Sequence, residues 1–217
     1  MMTTEPIIES DLTFGSFPEG HCFYIEKSQT YKQIEAGVKI VEFLLLRPNV
    51  NANKTVIWMV EAKKSSPHPK TQGKLKERMD EVRKKLNSNS LEYSDLQIED
   101  ICINLTPHPF DIYVEEICNK FVNTLSLFVA IHLKRHSNGD SELSEKLKQI
   151  DLAQVRFVFV LVIKNCEKEW LIPIQEALNK ALRPTIKTWN LSSPNIFVLN
   201  EDLARSKQLI DLGLTQI

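Results

Sequence analysis

Residues 38–66 read VKIVEFLLLR, PNVNANK, TVIWMVEAK and KSS in succession. Val38 to Arg47 is dense in branched and aliphatic residues and is closed by Pro48-Asn49, the signature of a strand running into a turn. Asn49 to Lys54 is polar. Thr55 to Lys63 predicts a second strand, and two strands joined in this way form a hairpin. Side chains alternate along a strand. Val56, Trp58, Val60 and Ala62 therefore share one side, and Ile57, Met59, Glu61 and Lys63 share the other. A carboxylate and an amine emerge together at the end of an otherwise apolar strand. If the two strands pair, Glu42, set between Val41 and Phe43, can join Glu61 on one face.

On the N-terminal side, Ala36-Gly37 marks a turn. Cys22 to Gln33 is ambiguous between a strand and a short helix. Residues 1–20 suggest a leader that packs late or loosely, ending at Pro18-Glu19-Gly20. On the C-terminal side, Ser65-Ser66-Pro67-His68-Pro69 starts an exposed loop. Gln72 to Leu86 predicts a charged helix and Pro109 to Arg135 the main helix. Val114, Ile117, Phe121, Leu125 and Phe128 recur at helical spacing as its buried face. Val155 to Ile163 is almost continuously apolar, as in a strand covered on both faces. Glu169 to Ala181 is an amphipathic helix limited or kinked by Pro184. Asn195 to Leu199 is a short strand, and Glu201 to Leu212 a closing helix capped by Asn200. Helices between the later strands imply crossovers and a mixed sheet. The expected architecture is one α/β domain over 21–217, with a mixed central sheet flanked by helices.

A chain of 217 residues with 42% hydrophobic content supports a core of this size. A net charge of -1 argues against a surface coated in positive charge, while leaving room for a local basic groove. Four cysteines without a C-x-x-C pair argue against a cysteine zinc site and suit a reducing cytosol. No apolar run reaches the roughly 20 residues needed to span a bilayer. No glycine-rich phosphate loop and no nucleophile elbow is present, which excludes P-loop, dinucleotide and serine-hydrolase chemistry. His132 and His136 stand one helical turn apart with no third ligand in the sequence nearby, and read as a surface pair.

A buried carboxylate costs several kcal/mol unless something compensates it. Two together repel, and one tends to keep its proton. A Mg2+ or Mn2+ ion removes both difficulties, since it prefers carboxylate and carbonyl oxygens. Glu42, Glu61 and the main-chain carbonyl of Ala62 are the expected ligands. Lys63 would orient or help deprotonate the attacking water, or stabilise a pentavalent phosphate. Lys64, Lys70 and Lys74 begin a basic stretch suited to a phosphate backbone, although acids interleave it further on.

Val41-Glu42-Phe43, a turn, and Val60-Glu61-Ala62-Lys63 together resemble the core of the PD-(D/E)XK nuclease superfamily, the restriction-endonuclease-like fold. Glu42 stands where that family usually carries Asp. The resemblance implies metal-dependent cleavage of DNA or RNA, with nucleic acid as partner. It also implies a further acid before the hairpin, for which Glu26 is the first candidate and Glu35 the second. The alternative is the same fold without catalysis, as a nucleic-acid-binding or interaction module, self-paired or joined to a partner subunit.

Overall fold

The structure, a computed structural model, describes residues 5–49, 54–67, 80, 83, 84, 109–136 and 139–210. Its centre is a five-stranded mixed sheet. In chain order the elements that build it are β3 (Cys22–Phe23), α1 (Gln29–Ile34), β4 (Phe43–Asn49), β5 (Lys54–Ser65), α2 (Pro109–His132), α3 (Glu145–Lys148), β6 (Arg156–Asn165), α4 (Lys168–Thr188), β7 (Ile196–Asn200) and α5 (Glu201–Ser206). Strands β3, β4 and β5 are antiparallel neighbours, and β6 and β7 follow in parallel. Parallel neighbours need a crossover, which α4 supplies between β6 and β7. The expected α/β class with a mixed, helix-flanked sheet is the one observed.

Alternation along β5 divides the core. Ile57 and Met59 lie with the buried stripe of α2, Val114, Ile117, Phe121, Leu125 and Phe128. Val56, Val60 and Ala62 lie on the other side with Phe43, Leu45 and Val160. Strand β6 is buried on both faces from Phe157 to Ile163, in accord with its unbroken apolar run.

That second face is covered by what reads in the sequence as a loose leader. Two short strands, β1 (Ile7–Glu9) and β2 (Leu12–Phe14), form an antiparallel hairpin. Leu12, Phe14 and Phe17 are buried, with the Phe14 ring edge-on to Phe43 at 5.2 Å. Gly15, at a φ of 110°, donates its N–H to the Leu209 carbonyl at 3.2 Å. The expectation of a loosely packed 1–20 segment is corrected for residues 5–20. Strands of three residues carry no readable period, but their apolar side chains complete the sheet's second face.

Several boundaries differ from expectation. Strand β4 starts at Phe43, not Val38, because the Val41 N–H bonds to Thr124 Oγ1 on α2 at 2.9 Å. Cys22 to Gln33 is neither strand nor helix throughout: β3 gives way to a 3-10 turn at Ile25–Lys27 and then to α1. Helix α4 runs through Pro173 and Pro184 to Thr188. Lys180, whose carbonyl Pro184 deprives of a partner, is exposed and open to water. The closing helix α5 runs over Glu201–Ser206 and ends before the expected Leu212, residues 207–210 being turn, bend and bridge, with Asn200 as its cap, accepting from the Leu203 N–H. Of the expected 72–86 helix, Asp80, Arg83 and Lys84 are helical and the remainder lies outside the described residues. No helix among the described residues is long and apolar enough to cross a membrane.

Candidate metal centre

The β4–β5 register pairs Phe43 with Val60, so Glu42 falls opposite Glu61. The Glu42 N–H donates to the Val60 carbonyl at 3.1 Å and extends the ladder by one residue. Both side chains face α2, and they are 6% and 0% exposed. Nothing apolar can satisfy two carboxylates at such a place.

Helix α2 answers with a polar row beside its apolar stripe: Glu116, Lys120 and Thr124, four residues apart. Lys120 Nζ stands 2.7 Å from Glu61 Oε1 and 3.8 Å from Glu42 Oε1. Lys63 Nζ lies 3.0 Å from Glu116 Oε1 and 3.4 Å from Glu61 Oε1. Thr124 Oγ1 donates to the Lys120 carbonyl at 2.7 Å while accepting from Val41, which pins this turn of helix to the strand entry.

On the other side of Glu42 the company is acidic. The Glu26 N–H, in the 3-10 turn, donates to the Glu42 carbonyl at 3.3 Å, which sets the two side chains together. Glu9, at the end of β1, completes a group: Glu9, Glu26 and Glu42 each offer an oxygen within 4.8 Å of the others. The Tyr24 hydroxyl donates to Glu9. The hairpin turn between Glu9 and Leu12 holds Ser10 and Asp11 at φ 52° and 59°. Such positions cost a non-glycine residue roughly 1–3 kcal/mol each. Both side chains are used: Ser10 Oγ donates to the Ala62 carbonyl at 3.0 Å, and Asp11 Oδ2 lies 2.8 Å from Lys64 Nζ.

Proton affinities follow this layout. Burial, then the charge of Glu61 and then the carboxylate of Glu26, push the Glu42 carboxyl up to about 9, against the pull of Lys120. Burial raises Glu61 too, opposed by Lys120 and Lys63. Burial works against the Lys120 ammonium, but Glu61, Glu42 and Glu26 prevail and raise it. The bond from Lys63 holds Glu116 below the ordinary carboxylate range.

The expected residues Glu42, Glu61 and Lys63 are thus brought together, and Glu26 joins them. The Ala62 carbonyl faces Ser10. Lys64 is exposed and paired with Asp11, while Lys70 and Lys74 lie outside the described residues. Glu35, at the end of α1, is exposed and not in the acid group. Sequence reasoning missed Lys120, Glu116, Glu9, Ser10 and Tyr24. The four-residue spacing of Glu116, Lys120 and Thr124 against the apolar stripe was a signal for the first two; the hairpin residues carried none.

The donor set fits a hard divalent cation. Oε2 of Glu42 and Oε2 of Glu61 are buried and have no hydrogen-bond partner among the described residues. A buried carboxylate oxygen left so is costly, and oxygen ligands of this kind are what Mg2+ and Mn2+ take. No protein-family model matches this chain, and comparisons with curated proteins and with solved structures give no significant match.

Proposed function

We propose that this chain is a divalent-cation-dependent phosphodiesterase acting on DNA or RNA. One observation carries the reading: Glu26, Glu42 and Glu61 converge from three separate elements beside Lys63, with two of their buried oxygens unpartnered among the described residues. When bound, Mg2+ or Mn2+ supplies Lewis-acid activation of the phosphodiester and its attacking water. The chain's own residues do the rest. Glu42 and Glu26 contribute ligand oxygens. Lys120 holds Glu61 in place. The Lys63 side chain, 25% exposed, keeps an ammonium at the edge of the site, where it orients the nucleophile and offsets charge gathering on the phosphate oxygens.

A second reading has support of its own. Lys120 fills the space between Glu42 and Glu61, and Glu61 is fully buried. A retained fold that binds nucleic acid or a partner without cleaving it tolerates a filled site. Incubating plasmid DNA and single-stranded RNA with wild type, Glu42→Gln and Lys63→Met, in Mg2+ and in Mn2+, separates the two. The phosphodiesterase reading expects cleavage that falls by about a hundredfold or more in each variant. Nucleic-acid binding without cleavage in wild type selects the module.

A further inference from the structure

We infer that the divalent cation binds on the hairpin side of Glu42, held by Glu9, Glu26 and Glu42, and that Glu61 is not among its ligands. The inference rests on the cation-dependent reading above and places the ion within it. It differs from the ligand set that the Glu-x-Lys motif suggests.

Charge separates the two sides of Glu42. On the helix side, Glu61 and Glu116 face Lys63 and Lys120, with Lys39 a third amine 3.9 Å from Glu116. An ion placed there must expel Lys120 from a 2.7 Å contact. On the hairpin side, three carboxylate oxygens lie within 4.8 Å of one another. Among the described residues no ammonium stands within ion-pair range of Glu9 or Glu26. Glu42 belongs to both groups: Oε1 is 3.8 Å from Lys120, and Oε2 is buried without a partner among the described residues. Glu61 Oε2 is likewise unpartnered among the described residues, so what separates the two sides is charge: Lys120 and Lys63 already face Glu61, whereas Glu42, 6% exposed, is the buried member of the three-acid group.

Access and support agree. Glu9 and Glu26 are half-buried, so an ion can enter with part of its water shell, as Mg2+ requires. The Tyr24 hydroxyl donates to Glu9 and so holds its orientation, in the manner of the outer groups that orient ligands. Ser10 ties the same turn to the Ala62 carbonyl. The N-terminal hairpin is thereby a wall of the site.

Titration of Mn2+, read by the electron paramagnetic resonance of the free ion, tests this on wild type, Glu9→Gln, Glu26→Gln and Glu61→Gln. Glu9→Gln and Glu26→Gln should each weaken binding by about tenfold or more, and Glu61→Gln by less than about threefold. The opposite order, with Glu61→Gln abolishing binding and Glu9→Gln neutral, would overturn the placement and leave the phosphodiesterase reading intact. Wild type that binds no Mn2+ at millimolar concentration would overturn both. If Glu9→Gln does not fold by circular dichroism, the contrast between Glu26→Gln and Glu61→Gln decides alone.

Discussion

Glu42 divides two polar clusters that solve the problem of buried charge differently. The helix-side cluster is closed and balanced: Glu61 and Glu116 are matched by Lys63 and Lys120 at 2.7–3.4 Å. The hairpin-side cluster is open and unbalanced, three acids with a tyrosine hydroxyl. The first carries its counter-charges within the chain. In the second, three acids share a single ammonium in ion-pair range among the described residues, Lys120 at 3.8 Å from Glu42, so this is where a further cation is accommodated. Helix α2 anchors one cluster and a strained two-residue turn the other, so they should also differ in what their loss does to the fold.

The sharpest way to break this contrast is Lys120→Met. It strands Glu61 with Lys63 alone, and removing one partner of a buried pair costs about 3–5 kcal/mol. Chemical denaturation should record that loss. Replacing Glu61 and Lys120 together by Gln and Met should cost less than Lys120→Met alone, since no uncompensated charge then remains. A loss in Lys120→Met well under 1 kcal/mol would mean that the helix-side cluster is not what holds Glu61.

The hairpin side sharpens the comparison through pH. Glu42 keeps its proton up to about 9 in the folded chain, mainly because it is buried and then because Glu61 and Glu26 stand close. An unfolded glutamate has lost its proton well below neutrality. Between those two values the folded state binds the extra proton, so stability without cation falls as pH rises. One proton gives at most about 1.4 kcal/mol per pH unit. Denaturation at pH 6, 7 and 8 should show that decline in wild type and a flatter profile in Glu42→Gln. Added Mg2+ should flatten it as well, because the ion replaces the proton. A wild-type profile that is level across this range would remove the strained carboxyl from the hairpin-side cluster.

The legibility of these clusters in the sequence was uneven, for physical reasons. The hairpin of β4 and β5 and the facing of Glu42 toward Glu61 followed from period-two alternation across a polar turn, which a one-residue slip would have reversed. The buried stripe of α2 followed from its helical spacing. For Lys120 the four-residue spacing with Glu116 and Thr124 marked a polar row but not its direction, because a charged residue between apolar ones on a helix ordinarily faces solvent, and only the carboxylates across the interface turn it inward. Glu26 was legible as an acid ahead of the hairpin. Glu9 was not, since β1 and β2 are three residues each and their pairing with the rest of the fold is long-range. Interactions local in sequence could be read; those closed by distant segments needed the structure.

The smallest effect should come from Asp11→Asn. Asp11 and Lys64 make the shortest ion pair between the hairpin and β5, at 2.8 Å, and Lys64 lowers the Asp11 carboxyl by its hydrogen bond and its charge. Both side chains are more than half exposed, at 55% and 67%. Water and salt screen a pair like this, and long side chains lose freedom in forming it. Asparagine tolerates the left-handed backbone that Asp11 adopts, so the turn itself is undisturbed. The melting temperature of Asp11→Asn should match wild type at both low and high salt, and its Mn2+ affinity should match as well. The hairpin is held instead by burial of Leu12 and Phe14 and by the Ser10 bond to Ala62. A clear drop in either quantity would mean that an exposed charge keeps Glu9 in place, and the hairpin-side cluster would then loosen with ionic strength while the helix-side cluster would not.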